Sequence, residues 1–106
     1  MTTWFVSRHP GAIEWIQKQR VHVDQFIEHI ELSQLNPGDR VIGILPVNFI
    51  AQLCEMNIEY WNLNLTLPSH ARGKELSLQQ LEQYGAHLQR YEVRVINIDE
   101  PFKSEG

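Results

Sequence analysis

The chain has 106 residues, 42% of them hydrophobic and 21% charged, with a net charge of −4 at pH 7. These values suit one folded domain and exclude a disordered chain. The acidic balance argues against a coat for long nucleic acid or a polybasic membrane binder, and the lone Cys54 excludes an internal disulfide and a cysteine-built zinc site.

Thr3–Ser7 is a β-branched and aromatic run that predicts a first strand. Arg8-His9-Pro10-Gly11 breaks it, and Pro10 suits the first turn of a helix, where a missing N–H costs nothing. Ala12, Ile13 and Ile16 recur at helical spacing, so strand, turn and helix fill 3–19. Between Val21 and Leu35 the pattern fits a helix or a strand, and a strand at 25–31 is the preferred reading. Asn36-Pro37-Gly38-Asp39 signals a turn, and Arg40–Leu45 is an almost unbroken apolar run, as in buried parallel strands.

Phe49, Ile50, Leu53 and Cys54 form the stripe of a helix over 48–55, closed at Asn57. Ile58–Leu67 alternates, with Trp61, Leu63, Leu65 and Leu67 facing one way, and predicts a strand. After a polar loop at 68–75, Ser77 and Gln80 form a capping box. The helix it opens at 78 runs to about Arg90 on a face of Leu78, Leu81, Tyr84 and Leu88. Glu92–Ile98 alternates again and predicts the last strand, which closes a domain over 1–98; residues 99–106 read as a polar tail.

The order β-α-β-β-α-β-α-β, with helices of roughly 10–13 residues, predicts an α/β fold: a mostly parallel open sheet of about five strands with helices on its faces. The short 32–39 connection leaves the place of the second strand in the sheet open. No apolar run is long enough to cross a membrane, and Met1–Trp4 lacks the basic flank of a signal peptide, so a cytoplasmic protein is expected.

Three polar clusters each follow a strand: Ser7-Arg8-His9-Pro10-Gly11, Pro46-Val47-Asn48, and Pro68-Ser69-His70-Ala71-Arg72-Gly73-Lys74. Ligands of open α/β sheets bind beyond the carboxyl ends of the strands, so parallel strands bring these clusters to one rim. Arg8 and Arg72 fork onto phosphates, Lys74 adds a point charge, and Ser7, Asn48 and Ser69 add neutral hydrogen bonds. The helix start at Pro10-Gly11-Ala12 offers N–H groups to an anion. A phosphate-bearing ligand is the natural reading, set against ordinary solvated loops.

His9 and His70 lie in the rim loops, where an imidazole can move a proton near neutral pH, whereas His22, His29 and His87 read as surface or packing residues. No metal-ligand spacing is present and no cofactor is implied. Cys54, Trp4, Tyr60 and Trp61 read as core, and Trp15 as a subunit contact or a cover for the sheet edge.

Phe5-Val6-Ser7-Arg8-His9-Pro10-Gly11-Ala12, Pro37-Gly38-Asp39, Val41-Ile42-Gly43, Leu45-Pro46-Val47, Leu67-Pro68, Ala71-Arg72-Gly73 and Glu75-Leu76-Ser77 stand in an order and spacing with a counterpart. From about residue 2 to 96 the chain resembles the small CRISPR-associated Csx proteins of type III systems, the sixteenth of the numbered Csx families. The resemblance implies a Rossmann-like domain related to CARF sensor domains, which bind cyclic oligoadenylate. It also implies a ring nuclease that opens cyclic tetra-adenylate and switches off the antiviral response.

On that implication each ribose 2′-OH attacks its own 3′-phosphate without a metal, with Arg8, Arg72 and Lys74 on the phosphates and His9 or His70 moving protons. The remaining rim residues, Ser7, Pro10, Gly11, Asn48, Ser69, His70 and Gly73, would bind the ligand. A two-fold cyclic ligand matches a homodimer. Two other readings stand beside this one. A non-catalytic protein that sponges cyclic oligoadenylate needs the same loops. A histidine phosphatase fits less well, because Pro10 separates His9 from Gly11.

Overall fold

In the computed structural model, which describes residues 1–97, β1 is Thr3–Val6, α1 Pro10–Lys18, β2 Gln25–Ile27 and β3 Arg40–Gly43. They are followed by α2 Val47–Glu55, β4 Glu59–Asn64, α3 Leu78–Gln83 and β5 His87–Tyr91, with single 3-10 turns at Leu32–Gln34 and Ser69–Ala71. The predicted order of strands and helices is the observed one. One five-stranded sheet runs β2-β1-β3-β4-β5, with β1 to β4 parallel and β5 antiparallel to β4. This is the α/β, mostly parallel open sheet that the alternation predicts.

The chain goes from β1 out to β2, then crosses back over β1 to β3. The winding therefore reverses between β1 and β3, and such a reversal opens a crevice at the carboxyl ends of the strands. No α-helix carries that return. The 3-10 turn does, packing Leu32 and Leu35 on the sheet face that α2 covers.

Period-2 alternation gives the sheet two apolar faces. Phe5, Ile42 and Leu63 meet Ala12, Trp15 and Ile16 of α1 and Leu81 of α3 on one. Val41 and Tyr60 meet Ile50 and Leu53 of α2 on the other. Trp15, read as a subunit contact or a cover for the sheet edge, is 5% exposed and packs in the first core with Ile16. Burying both faces removes roughly 1.5–3 kcal/mol of apolar exposure per large side chain, the main term holding α1 and α2 to the sheet.

The amino ends of the strands are tied by Asp39, which is 3% exposed. Its carboxylate accepts from the N–H groups of Thr2 and Asn36, each at 3.0 Å, and from the Trp4 indole at 3.2 Å. Burial opposes ionisation there, but these donors outweigh it and hold the carboxyl below its usual range. The Pro37-Gly38-Asp39 turn is thus a structural clamp at the end of the sheet away from the rim.

The carboxy-terminal third departs from expectation. The capping box is present, with Ser77 Oγ accepting from Gln80 N–H at 3.2 Å, but α3 ends at Gln83 rather than near Arg90. Gly85, at φ 74°, turns the chain left-handed, and Ala86 N–H donates to Leu81 O at 2.9 Å while Gly85 N–H donates to Glu82 O at 3.2 Å. Leu88 therefore sits opposite Leu63 in β5 rather than on a helix face. The last strand is His87–Tyr91 and not Glu92–Ile98, and 92–97 carry no regular structure. Asn57, at φ 59°, closes α2 in the same way, as expected.

The helices have nine, nine and six residues, and β2 stops at Ile27 instead of residue 31. Ile98 and the 99–106 tail lie outside the described residues. Among the described residues no helix is long and apolar enough to cross a membrane.

Candidate functional site

Val6 at the end of β1 pairs with Ile27 of β2 and with Gly43 of β3, and Gly43 pairs with Asn62 of β4. Four parallel strands thus release their loops at one rim. An open cavity of ≈ 450 Å³ lies there, lined by Ser7, Arg8, His9 and Lys74. Its walls are apolar where Ile44, Leu65, Leu67 and Leu76 face it.

Backbone groups and the Ser7 hydroxyl hold the first loop, while the Arg8 and His9 side chains are exposed. Ser7 N–H donates to Ile27 O at 2.9 Å, and Ser7 Oγ accepts from His9 N–H at 3.1 Å. His9 O then accepts from Ala12 and Ile13 N–H at 3.0 and 3.2 Å, which starts α1. Ala12 N–H is therefore engaged within the helix start, while Arg8 and His9 remain exposed.

At the end of β3 the buried Tyr60 hydroxyl donates to Gly43 O at 2.9 Å and accepts from Leu45 N–H at 3.2 Å. Burial pushes this phenol up to about 12. It acts as a pin for the β3 loop.

Arg72 and Lys74 separate at a tight turn. Lys74 N–H approaches Ala71 O at 3.4 Å, Arg72 is extended, and Gly73 has φ 76°, the pattern of a type II turn. Lys74 faces the main cavity, whereas Arg72 lines an adjoining one with Asn62 and Asn64 that shares Ile44, Leu63, Leu65 and Leu67 with it.

The other expected site residues fall elsewhere. Pro10 and Gly11 line a groove between α1 and the start of α3. Asn48 is exposed on the first turn of α2, Ser69 and His70 are exposed in a 3-10 turn, and Gly73 is exposed in its turn. None of these six lines the main cavity.

Two residues outside the expected set do line it: Glu28, and His29, which was read as a surface or packing residue; both come directly after β2. Their signal was the strand-end rule itself. It was hidden because a strand drawn to residue 31 places both inside the sheet rather than past its end.

Among the described residues the ion pairs are Lys18–Glu82 at 3.5 Å, Arg40–Glu59 at 2.6 Å and Arg90–Glu59 at 3.8 Å, and the His22 ring lies 2.7 Å from Asp24. Among the described residues Arg8, Arg72 and Lys74 take part in no ion pair. Glu59 is held below the usual carboxylate range first by the Trp61 indole and then by Arg40, far from the rim. Among the described residues no cluster of three His, Cys, Asp or Glu side chains is placed to hold a metal ion.

Residues 4–94 match the family model described as "Putative CRISPR-associated protein (Cas_VVA1548)". The match covers most of the chain, which therefore belongs to this CRISPR-associated family. No curated protein and no solved structure matches it.

Proposed function

With membership of a CRISPR-associated family as the premise, we propose that the chain is a ring nuclease acting on cyclic oligoadenylate, with cyclic tetra-adenylate its preferred ligand. One observation carries the reading: Arg8, His9 and Lys74 meet in one cavity whose walls are apolar, with Arg72 beside it. A phosphate-linked ring of purines asks for both features, cations for the phosphates and apolar surface for the base faces.

In the proposed reaction the ribose O2′ bonds to its own 3′-phosphorus and the phosphorus–O5′ bond breaks. The 2′-OH gives up a proton and O5′ gains one, which opens the ring; the same step at the opposite linkage leaves two linear diadenylates, each ending in a 2′,3′-cyclic phosphate. No external nucleophile is consumed, so the rate comes from holding O2′, phosphorus and O5′ in line and from stabilising the added charge. Arg8 and Lys74 do this directly, Arg72 grips a neighbouring phosphate, and His9 moves a proton. The scheme uses no metal and no cofactor.

The finer kinship belongs to the same proposal: the sixteenth numbered Csx family, a Rossmann-like, CARF-related domain, and a cytoplasmic role in switching off type III signalling. A homodimer is part of it too. A volume of ≈ 450 Å³ is near the low end of small-molecule sites (~300–1,000 Å³), so one subunit holds part of the ring and a second supplies the rest. Ile44 and Val47, 62% and 66% exposed beside the rim, favour such a covering subunit.

Calorimetric titration with cyclic tetra-adenylate, with scattering mass measured on the complex, tests the reading. Saturable binding at one ring per two chains is expected, weakened at least tenfold by Arg8→Ala. Binding unchanged by Arg8→Ala, or a monomeric complex, contradicts it.

A further inference from the structure

A ring opening needs two proton transfers at opposite sides of one phosphorus, and a single imidazole does not reach both at once. His9 is one candidate. His70, the other imidazole in the rim loops, sits exposed in a 3-10 turn and does not line the cavity. His29 does line it.

We infer that His29 is the second proton-transfer residue of the site, paired with His9 across the ends of β1 and β2. This inference rests on the ring-opening reading above. β1 and β2 are hydrogen-bonded parallel neighbours, so their axes lie ~4.8 Å apart, and Val6 is level with Ile27. His9 is the third residue past Val6 and His29 the second past Ile27, so the two leave the sheet side by side into one cavity. Both are exposed, so neither spends its ring nitrogens on the protein core.

The charged groups sharing the cavity with them are Arg8 and Lys74, which are cationic, and Glu28, its one carboxylate. With two imidazoles in one cavity, one accepts a proton while the other donates one. The 2′-OH proton passes to the His9 ring as O2′ bonds to phosphorus. The proton carried by the His29 ring passes to O5′ as it departs. Exchange with water through the open mouth resets both.

The test is single-turnover cleavage of cyclic tetra-adenylate across pH 5–9, with binding of its 2′-deoxy analogue, which lacks the nucleophile, measured separately. Wild-type protein is expected to give a bell-shaped profile. His29→Ala should lower the rate roughly 10²–10⁴-fold and remove one limb, and should bind the analogue within about threefold of wild type. Added imidazole should restore part of its rate. His22→Ala, at an exposed imidazole outside the cavity, should behave as wild type.

A His29→Ala protein that cleaves within about threefold of wild type on an unchanged profile overturns the inference and leaves the ring-nuclease reading standing. So does one that loses affinity for the analogue in proportion to rate. Wild-type protein that leaves the ring intact removes that reading, and the inference falls with it.

Discussion

A β-carbon on Gly11 would collide with the carbonyl oxygen of Leu76. Helix α1 and the segment leading into α3 are thus pressed backbone to backbone. The contact brings the loop that carries Lys74 against the helix start that follows Arg8 and His9, so it assembles the cationic rim as well as the fold. Gly11→Ala forces backbone to move and should cost about 3 kcal/mol, on the order of 10 °C or more in Tm. Gly73→Ala meets open space and only a left-handed φ, so its cost should be about 1 kcal/mol. Thermal unfolding of the two variants checks the ordering.

Asp39 predicts the acid behaviour of the fold. Its carboxyl is depressed when folded, so the stability it adds is present above the ordinary carboxylate value. That stability is lost as pH falls through the lower folded value. Asp39→Ala leaves donors of Thr2, Asn36 and Trp4 without this acceptor and should cost about 2–3 kcal/mol near neutral pH. Urea unfolding at pH 7 and pH 3 should show the wild-type advantage over the variant shrinking at the lower pH.

Tyr60 gives the alkaline counterpart. The phenol is pushed from 10.0 to about 12 by burial, so its contribution is full below the unfolded value and fades as pH rises from 10 toward 12. Tyr60→Phe leaves Leu45 N–H without its partner and should lower stability by about 1–2 kcal/mol at pH 7. It should also flatten the decline above pH 10, as read by unfolding midpoints across that range.

The rim sorts the expected site residues into two groups. Lys74→Ala should weaken cyclic tetra-adenylate binding about tenfold or more, and Arg72→Ala, from the adjoining cavity, should weaken it less. Asn48→Ala and Ser69→Ala should bind within about twofold of wild type, since neither lines the cavity. Fluorescence titration of the four variants under one salt condition distinguishes these outcomes.

Much of this arrangement was readable from residue order. Alternating strands and helices gave the parallel sheet, Ser77 and Gln80 marked the start of α3, and the strand-end rule singled out Arg8, His9 and Lys74, which line one cavity. The rest depended on competition that pattern alone does not resolve. Leu88 is apolar whether α3 continues or β5 begins, and the left-handed turn at Gly85 decides for the strand. Val21–Leu35 alternates ambiguously because β2 is a three-residue edge strand with an exposed Phe26, and its true end is what puts His29 at the rim. Trp15 lies off the tightest helical stripe, yet α1 and α3 together bury it.

The central claim meets its most direct test when purified protein is incubated with cyclic tetra-adenylate in excess EDTA and the products are separated by chromatography and weighed by mass spectrometry. Linear diadenylate bearing a 2′,3′-cyclic phosphate is the predicted product, at a rate unchanged by the chelator. Recovery of the intact ring, bound or free, contradicts it, and a bound intact ring identifies a binding protein instead.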